Sequence, residues 1–260
     1  MRIVFITPEE PSVVPLFFEK ALPSVRGKVA AVVVVRPIYR NSTWLRQAKR
    51  FVGSFGLKDF SEEALLFVGY KCLDLMQRLI GVGGFHSVKS VVASQNVPLL
   101  EAEDVNDAAF LERLKELSPD LIISVSCPQI FRKALLELPT KGCVNVHSAL
   151  LPNYRGMLPT FWALTNGEQQ TGVTVHYMNP GIDDGDIILQ RSIPIGPDAT
   201  LRSLMKECKS VAADMVLEVI RRFEEDSLAP VPNRIEEGAY FSFPKREDVA
   251  RFKALGHRLR

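Results

Sequence analysis

Two polar side chains stand at the end of a short apolar run in the middle of the chain. Asn145 and His147 are two residues apart within the segment Cys143–Gly156. On a strand, this spacing puts both side chains on one face, about 6.6 Å apart at ~3.3 Å per residue. An amide donates without ionising and an imidazole titrates near neutrality, so the pair can stabilise an oxyanion and move a proton. This chemistry suits acyl transfer, although such residues at a strand end are also common as structural residues.

A second polar segment, Asn179–Asp186, is a turn rich in carboxylates and glycine. It follows the next predicted strand, and we expect a parallel sheet to bring it to the same edge as His147. A carboxylate in this turn would orient the imidazole and raise its pKa by favouring the charged form. A solvated surface turn is the alternative. The spacing of the oxygen ligands does not fit an EF-hand, so we expect no metal here.

These segments need a sheet to position them, and the sequence predicts one. Short runs rich in β-branched residues alternate with amphipathic stretches, which is typical of a parallel sheet covered by helices on both faces. Several runs are apolar without alternation, as burial on both sides requires. We therefore predict an α/β fold with a doubly wound, mostly parallel sheet. The predicted strands are Arg2–Ile6, Val29–Val35, Val88–Ala93, Asp120–Val125, Cys143–Val146, Val173–Tyr177 and Ile187–Ser192.

Apolar residues at helical spacing predict three long helices between and after these strands. They are Val105–Leu117, Glu62–Ile80 and Leu201–Phe223. The last has a continuous apolar face that we expect to pack on the core. The second also carries charged residues, which predicts a packed helix rather than a membrane helix.

The predicted domain organisation has one main unit and a short tail. Residues 1–228 form the main domain, with a helical insertion near 41–85. The prolines in Ala229–Asn233 stop a helix and favour extended backbone, so this segment is predicted to be a linker. Residues 229–260 then form a carboxy-terminal extension. Its aromatic cluster, Tyr240–Phe243, is expected to cover a sheet edge or to contact a partner.

Composition excludes several classes of protein. The net charge of +2 does not indicate nucleic acid or an acidic membrane as an obligatory partner. The aliphatic run Val29–Val35 is far shorter than the roughly 20 residues of a membrane span. Because the amino terminus also lacks the features of a signal peptide, we expect a cytoplasmic protein with no membrane partner. The sequence does not decide whether the chain forms a homo-oligomer.

The remaining cysteines and histidines are expected to have no chemical role. The cysteine spacings match no zinc or redox motif, which favours buried thiols. His176 falls on a predicted strand and is interpreted as a structural histidine, whereas His86 and His257 are expected at the surface. The cysteines are Cys72, Cys127, Cys143 and Cys208.

Taken in order, the motifs resemble those of the folate-dependent formyltransferase family. That family has Asn-x-His at a strand end, a Leu-Leu-Pro-x-aromatic-Arg-Gly loop and a Leu/Ile-Asp-x-Gly turn. This sequence has Asn145-Val-His147, Leu150–Gly156 and Ile182–Gly185 in the same order. One departure is Ala149, where the family usually has Ser, and it puts one loop hydrogen bond in doubt. The resemblance implies a Rossmann-like formyltransferase fold.

The resemblance also implies the roles of particular residues. By it, Asn145, His147 and Asp183 are the catalytic triplet, and 10-formyltetrahydrofolate is the co-substrate. The folate ring is then expected beside the segment after the strand that precedes Asn-x-His, and beside the turn that carries Asp183. The cofactor-binding residues implied in this way are Pro128, Gln129, Ile130, Phe131, Asn179, Gly181 and Ile182.

The acceptor is less well defined by the sequence. The resemblance is to enzymes that formylate methionyl-tRNA or nucleotide-linked amino sugars. The tail after Val231 has seven Lys and Arg against four Asp and Glu, a weak basis for binding a polyanion, so we expect a small amine such as an amino sugar nucleotide. Methionyl-tRNA formylation is one alternative. Hydrolysis of 10-formyltetrahydrofolate is another, and non-catalytic binding of a folate or nucleotide is the third.

Overall fold

A seven-stranded sheet forms the centre of the computed structural model, which describes residues 1–36, 43–81 and 84–260. Two short strands form a separate pair. In chain order the strands are β1 (Ile3–Pro8), β2 (Val29–Val35), β3 (Leu99–Ala102), β4 (Leu121–Val125), β5 (Cys143–His147), β6 (Arg155–Gly156), β7 (Gln170–Tyr177), β8 (Ile187–Pro194) and β9 (Tyr240–Phe241).

The spatial order of the large sheet is β3-β2-β1-β4-β5-β7-β8. The five strands from β3 to β5 are parallel to their neighbours, whereas β7 runs antiparallel to β5 and β8 antiparallel to β7. Since β1 is central and the chain winds outward from it in both directions, the predicted doubly wound, mostly parallel sheet is confirmed.

Helices cover both faces of this sheet. They are α1 (Val14–Val25), α2 (Trp44–Phe55), α3 (Leu57–Ile80), α4 (Val88–Ser94), α5 (Ala108–Glu116), α6 (Lys133–Leu136), α7 (Pro159–Thr165), α8 (Leu201–Glu224) and α9 (Arg246–Ala254). On β1, Ile3 and Phe5 pack into the cluster that contains α1 and α8, while Val4 and Ile6 pack into the cluster that contains α5. Two-sided burial explains why this strand is apolar without alternation.

Capping and periodicity explain the longest core helix. α8 begins after Thr200, whose side chain accepts a hydrogen bond from the Ser203 amide while Ser203 bonds back to the Thr200 amide. Such a capping box satisfies two amides that would otherwise have no partner. The apolar face then buries Leu204, Cys208 and Met215 against the sheet, as the sequence predicted.

One predicted strand is wrong. Val88–Ala93 lies in helix α4, because the Ser87 side chain caps the amide of Ser90 and the valines 88, 91 and 92 share one buried helical face. Spacing and the cap outweigh the β preference of the valines. The strand in this region is β3, a few residues later.

The predicted helices over Val105–Leu117 and Glu62–Ile80 are present as α5 and α3. The boundaries of the insertion near 41–85 lie partly outside the described residues, which omit 37–42 and 82–83.

Cys72 is exposed and Cys127 is half-buried, so only Cys143 and Cys208 are the buried thiols expected. His86 and His257 are half-buried rather than surface residues. Within the described ranges, no helix is both long and apolar enough for a membrane span.

The carboxy-terminal extension packs on the main domain. β9 pairs with β6, and Phe252 of α9 is fully buried and stacks on Phe161 of α7, with ring centroids 5.0 Å apart. Trp162 donates its indole N–H to the carbonyl of Ser242. The aromatic cluster therefore covers the β6 loop and α7, not an edge of the large sheet.

We predict that Phe252→Ala destabilises the whole chain by about 3–5 kcal/mol, because it leaves a cavity between α9 and α7. Leu255→Ala is the matched control on the same segment, since Leu255 is 52% exposed and its truncation should change stability by less than ~0.5 kcal/mol. Urea unfolding followed by circular dichroism measures both. Equal, small effects would mean that the extension does not share the core.

Candidate active site

A cavity of about 590 Å³ opens where β1, β4 and β5 end. Pro8, Ser126 and Ser148 line it at the carboxyl ends of those three strands. In open α/β sheets this is the usual position of a ligand site. All ten residues that the sequence singled out line this one cavity: Asn145, His147, Asp183, Pro128, Gln129, Ile130, Phe131, Asn179, Gly181 and Ile182.

Strand β5 positions the first two polar side chains. Asn145 and His147 point to the same face, as their spacing predicts, and His147 is only 6% exposed. On the neighbouring strand, His176 is the partner of Asn145 in the β5–β7 register. Three polar side chains are therefore held by backbone ladders rather than by a loop, which fixes their separations.

Asp183 joins these side chains into one cluster. Its carboxylate lies 3.5 Å from His147 Nδ1 and 3.6 Å from His176 Nε2. It accepts hydrogen bonds from Asn145 Nδ2 at 3.3 Å and from the backbone amide of Gly156 at 2.8 Å. A carboxylate with several donors around it is stabilised in its charged form.

Asp183 does not reach the cluster by the route expected from the sequence. β7 is antiparallel to β5, so the turn after β7 does not begin at the carboxyl edge of the parallel strands. The connection to β8 instead folds back, with Asp183 in a left-handed conformation at φ +49°. Asn233 from the predicted linker donates to the Asp183 carbonyl at 3.0 Å and supports this turn. A strained non-glycine conformation of this kind persists only where its surroundings hold it.

Backbone carbonyls define the protonation of both histidines. His147 Nε2 is 2.8 Å from the carbonyl oxygen of Tyr154, and His176 Nδ1 is 2.7 Å from that of Tyr177. A carbonyl only accepts, so these two nitrogens carry protons. His176 Nε2 then accepts from Asn145 at 3.2 Å when its ring is neutral. A second proton on His147 would sit on Nδ1, facing Asp183.

Burial and charge act in opposite directions on this cluster. Burial lowers the pKa of His147 below its ordinary value, and this outweighs the upward effect of Asp183. Burial alone would raise the pKa of Asp183, but His147, the contact with the His176 ring and the Gly156 amide hold that pKa well below its usual range. The cluster therefore contains a carboxylate that stays charged and an imidazole whose protonation is disfavoured.

The other side of the cavity is formed by the segment after β4 and by the Asp183 turn. The side-chain amide of Gln129 already forms two hydrogen bonds, since it accepts from the Val105 amide and donates to the Glu103 carbonyl. Phe131 is a buried core residue. Ile130 is 60% exposed, and Ile182 is also exposed. Two open aliphatic side chains at the cavity wall suit a flat ring that needs burial.

Several residues of the site were not singled out by their chemistry in the sequence. His176 was interpreted as structural, yet it touches both Asn145 and Asp183. Asn233 was assigned to a linker. Lys209 lines the cavity from α8, is 4% exposed and lies 3.4 Å from Ser148 Oγ, and burial lowers its pKa. A lone lysine on an otherwise apolar helix face was the one available signal for it.

The α/β fold and the polar cluster in its cavity are together typical of an enzyme domain. An amide, an imidazole and a buried carboxylate meet in one cavity, and no group of three His, Cys, Asp or Glu side chains that could hold a metal occurs among the described residues. This set is suited to proton transfer and oxyanion stabilisation. The chain belongs to the formyl transferase family, whose sequence profile matches residues 1–220.

Individual relatives agree with this membership. A methionyl-tRNA formyltransferase of Syntrophus aciditrophicus is 40% identical over 161 residues, which are 62% of this chain and 52% of that protein. The chain spans about half the length of the curated relatives it matches.

Solved structures share the fold at low sequence identity. The N-formyltransferase from Helicobacter canadensis, in complex with folinic acid and dTDP-3-aminofucose, is 18% identical with a TM-score of 0.59, over 95% of this chain and 72% of that one. Glycinamide ribonucleotide transformylase 1 from Symbiobacterium toebii is 19% identical with a TM-score of 0.58, over 87% and 89%.

We predict that Asp183→Asn lowers the pKa of His147 further, because it removes the charge that raises this pKa against burial. An NMR titration of the His147 ring from about pH 4 to 8, around the ordinary imidazole value, measures the shift. Asp184→Asn is the matched control, since the Asp184 carboxylate has no hydrogen bond to either histidine within the described structure. A midpoint that rises or stays in place in Asp183→Asn contradicts the assigned coupling.

Proposed function

We propose that this chain transfers a formyl group from 10-formyltetrahydrofolate to a primary amine. One observation carries the proposal: Asn145, His147 and Asp183 form a connected polar cluster on the same cavity as the segments implied for folate binding. Membership of the formyl transferase family supports the same reaction. Catalysis would then need both a stabiliser of the oxyanion and a proton carrier.

In the proposed reaction, the neutral amine attacks the formyl carbon and a tetrahedral intermediate forms. Asn145 Nδ2, which must first release Asp183 or His176 as its acceptor, and the His147 imidazole hold the oxyanion. The leaving nitrogen of tetrahydrofolate gains a proton, while the attacking nitrogen loses one. The balance needs no covalent enzyme intermediate, and the chain's contribution is to donate hydrogen bonds to developing charge.

His147 has to exchange one partner in this reaction. Its Nε2–H is bound to the Tyr154 carbonyl, so the ring or the loop that carries Tyr154 must move for Nε2 to donate to the oxyanion. Catalytic hydrogen bonds are often misaligned before substrate binds. Asp183 remains beside Nδ1 and offsets part of the effect of burial, which disfavours the imidazolium.

The same proposal assigns the folate ring to the wall formed by Pro128–Phe131 and the Asp183 turn. Ile130 and Ile182 supply the apolar contacts. Backbone groups would form the hydrogen bonds to the edge of the ring. The Gln129 side chain already accepts from the Val105 amide, and the Asn179 side chain already accepts from the Gly181 amide. A Cβ on Gly181 would lie 1.8 Å from an oxygen of the Asp184 side chain, so a substitution there would force that side chain to move.

For the acceptor, we infer that methionyl-tRNA has better support than an amino sugar nucleotide. Relatives at about 40% identity are named methionyl-tRNA formyltransferases. The likeness to sugar N-formyltransferases is in fold, at 18% identity. The short basic tail does not weigh against tRNA, because the chain covers only about half of those relatives and the tail packs on its own domain.

The test is an acceptor panel with the purified chain and 10-formyltetrahydrofolate. The reactions contain methionyl-tRNA, a dTDP-amino sugar, glycinamide ribonucleotide or no amine. We expect folate release only with an amine, and formylated methionyl-tRNA as the main product. Release at the same rate without any amine would indicate hydrolysis. No release in any reaction, with folate still bound, would indicate a binding protein.

We predict that His147→Ala lowers turnover by at least ~10²–10³, the loss attributed to one oxyanion donor. The fold should be kept, because the side chain lies on a cavity wall. His86→Ala is the matched control, since His86 packs on Tyr70 and does not line the cavity. Single-turnover rates with saturating folate and amine measure the effect. Equal turnover in both variants would remove His147 from the mechanism.

We also predict that Ile130→Asp weakens folate binding by at least ~10-fold, because a carboxylate covered by the ring loses its water without gaining a partner. In the free protein the substitution should be tolerated, since this side chain is mostly exposed. Leu255→Asp, at a comparably exposed site outside the cavity, is the control. Fluorescence titration with 5-formyltetrahydrofolate gives both affinities, and an unchanged value for Ile130→Asp would move the folate site.

A further inference from the structure

Unlike an ordinary surface helix, helix α3 turns its apolar side away from the body of the protein. Its inward side is polar: Glu63 pairs with Arg202 of α8, and the Tyr70 hydroxyl accepts from the same guanidinium. Asp74 is buried and pairs with Arg78. Its apolar residues face outward, although the sequence predicted a helix packed on the core. A folded monomer rarely exposes a large contiguous apolar surface without a partner for it.

Eight exposed apolar residues of α3 form a band along one side of the helix, while Phe67 and Leu73, which are also exposed, are not part of it. Leu65 and Leu79 are 73% and 74% exposed, the highest values among the large hydrophobic residues that the structure describes. We refer to the band as the outer face of α3. It consists of Leu57, Leu65, Val68, Cys72, Leu75, Met76, Leu79 and Ile80.

The spacing within the outer face is that of a helix–helix seam. Leu65, Val68, Cys72, Leu75 and Leu79 follow one another at intervals of three, four, three and four residues. This 3.5-residue repeat keeps side chains facing another helix along their length, as in a coiled coil. An apolar face that merely rests on a lipid surface has no need of this repeat.

The seam is also nearly symmetric about its centre. Leu65 and Leu79 are each seven residues from Cys72, and Val68 and Met76 are each four residues from it. If two copies of α3 cross antiparallel at Cys72, each leucine meets the other leucine of its partner. A two-fold contact needs this kind of self-complementary surface. Gly69, beside the seam, permits close approach of the two backbones.

The size of the outer face fits a stable dimer. α3 is about 36 Å long at ~1.5 Å per residue. Eight side chains that offer on the order of 100 Å² each would bury roughly 800 Å² per copy, which is the standard contribution of one partner. The eight side chains of the outer face are uncharged, whereas proteins bind nucleic acid mainly through arginine and lysine, so a nucleic-acid partner does not fit them.

We propose that the outer face of α3 is a homodimer interface, in which the α3 helices of two copies pack antiparallel and cross near Cys72. The ion pair of Glu63 with Arg202 and the hydrogen bond of Tyr70 with the same guanidinium hold the helix on the body of each copy. None of the eight residues of the outer face lines the cavity, so the proposed interface does not include the site. The contact joins two whole domains rather than two isolated helices.

The test uses charge pairs on the full chain. We expect the parent protein to sediment as a dimer at micromolar concentration. Leu65→Glu with Leu79→Glu should raise the dimer Kd at least ~100-fold, because buried like charges then face each other. Leu65→Lys with Leu79→Lys should do the same, and an equimolar mixture of the two variants should restore the dimer. Leu255→Glu is the matched control for added charge, and circular dichroism checks the fold of each variant.

Helix direction is tested within one chain. Leu65→Glu with Leu79→Lys should dimerise by itself if the helices are antiparallel, since each glutamate then meets a lysine. A thiol-specific bis-maleimide should cross-link two parent chains, but not two Cys72→Ser chains. A parent that stays monomeric at ~100 µM, a dimer unaffected by the glutamate pair, or a monomer that binds phosphatidylcholine vesicles through the outer face would overturn the proposal.

Discussion

The carboxylate of Asp183 is the centre on which the rest of the site depends. It is buried among two imidazoles, one amide and one backbone N–H, which come from β5, β6 and β7. A charge in such a place is retained only when its donors are fixed. The strands β5 and β7 fix the side chains, while β6 presents the Gly156 amide.

That requirement explains why the carboxy-terminal extension belongs to the structure of the site. β9 pairs with β6, and the carbonyl of Phe241 lies where any side chain on residue 156 would clash. Gly156 adopts a φ of +96°, which suits glycine, and its amide therefore points at Asp183. Asn233 secures the Asp183 turn from the same extension. The tail therefore shapes the Asp183 cluster in two ways, through the backbone of Gly156 and through the side chain of Asn233.

The sequence alone, with the family resemblance it carries, was sufficient for the class of fold and for ten of the residues that line the cavity. Strands buried on both faces are recognisable from unbroken apolar runs, and helix α8 from its regular apolar positions. Asn145 and His147 were recognisable because side-chain direction on a strand depends only on spacing. Local signals decided these features. Where two local signals competed, as at Val88–Ala93, composition alone led to the wrong element.

Contacts between distant segments decided the rest. The sequence did not indicate that Asp183 reaches the site by a fold-back turn beside an antiparallel strand, nor that His176 and Asn233 complete its surroundings. The orientation of α3 was equally hidden, because periodicity shows that a helix has two faces but not which one meets the body. Arg202 of α8 selects the polar face through Glu63, far away in the chain. Partners so remote in sequence become neighbours only in the folded molecule, and burial and charge pairing there determine which face turns inward.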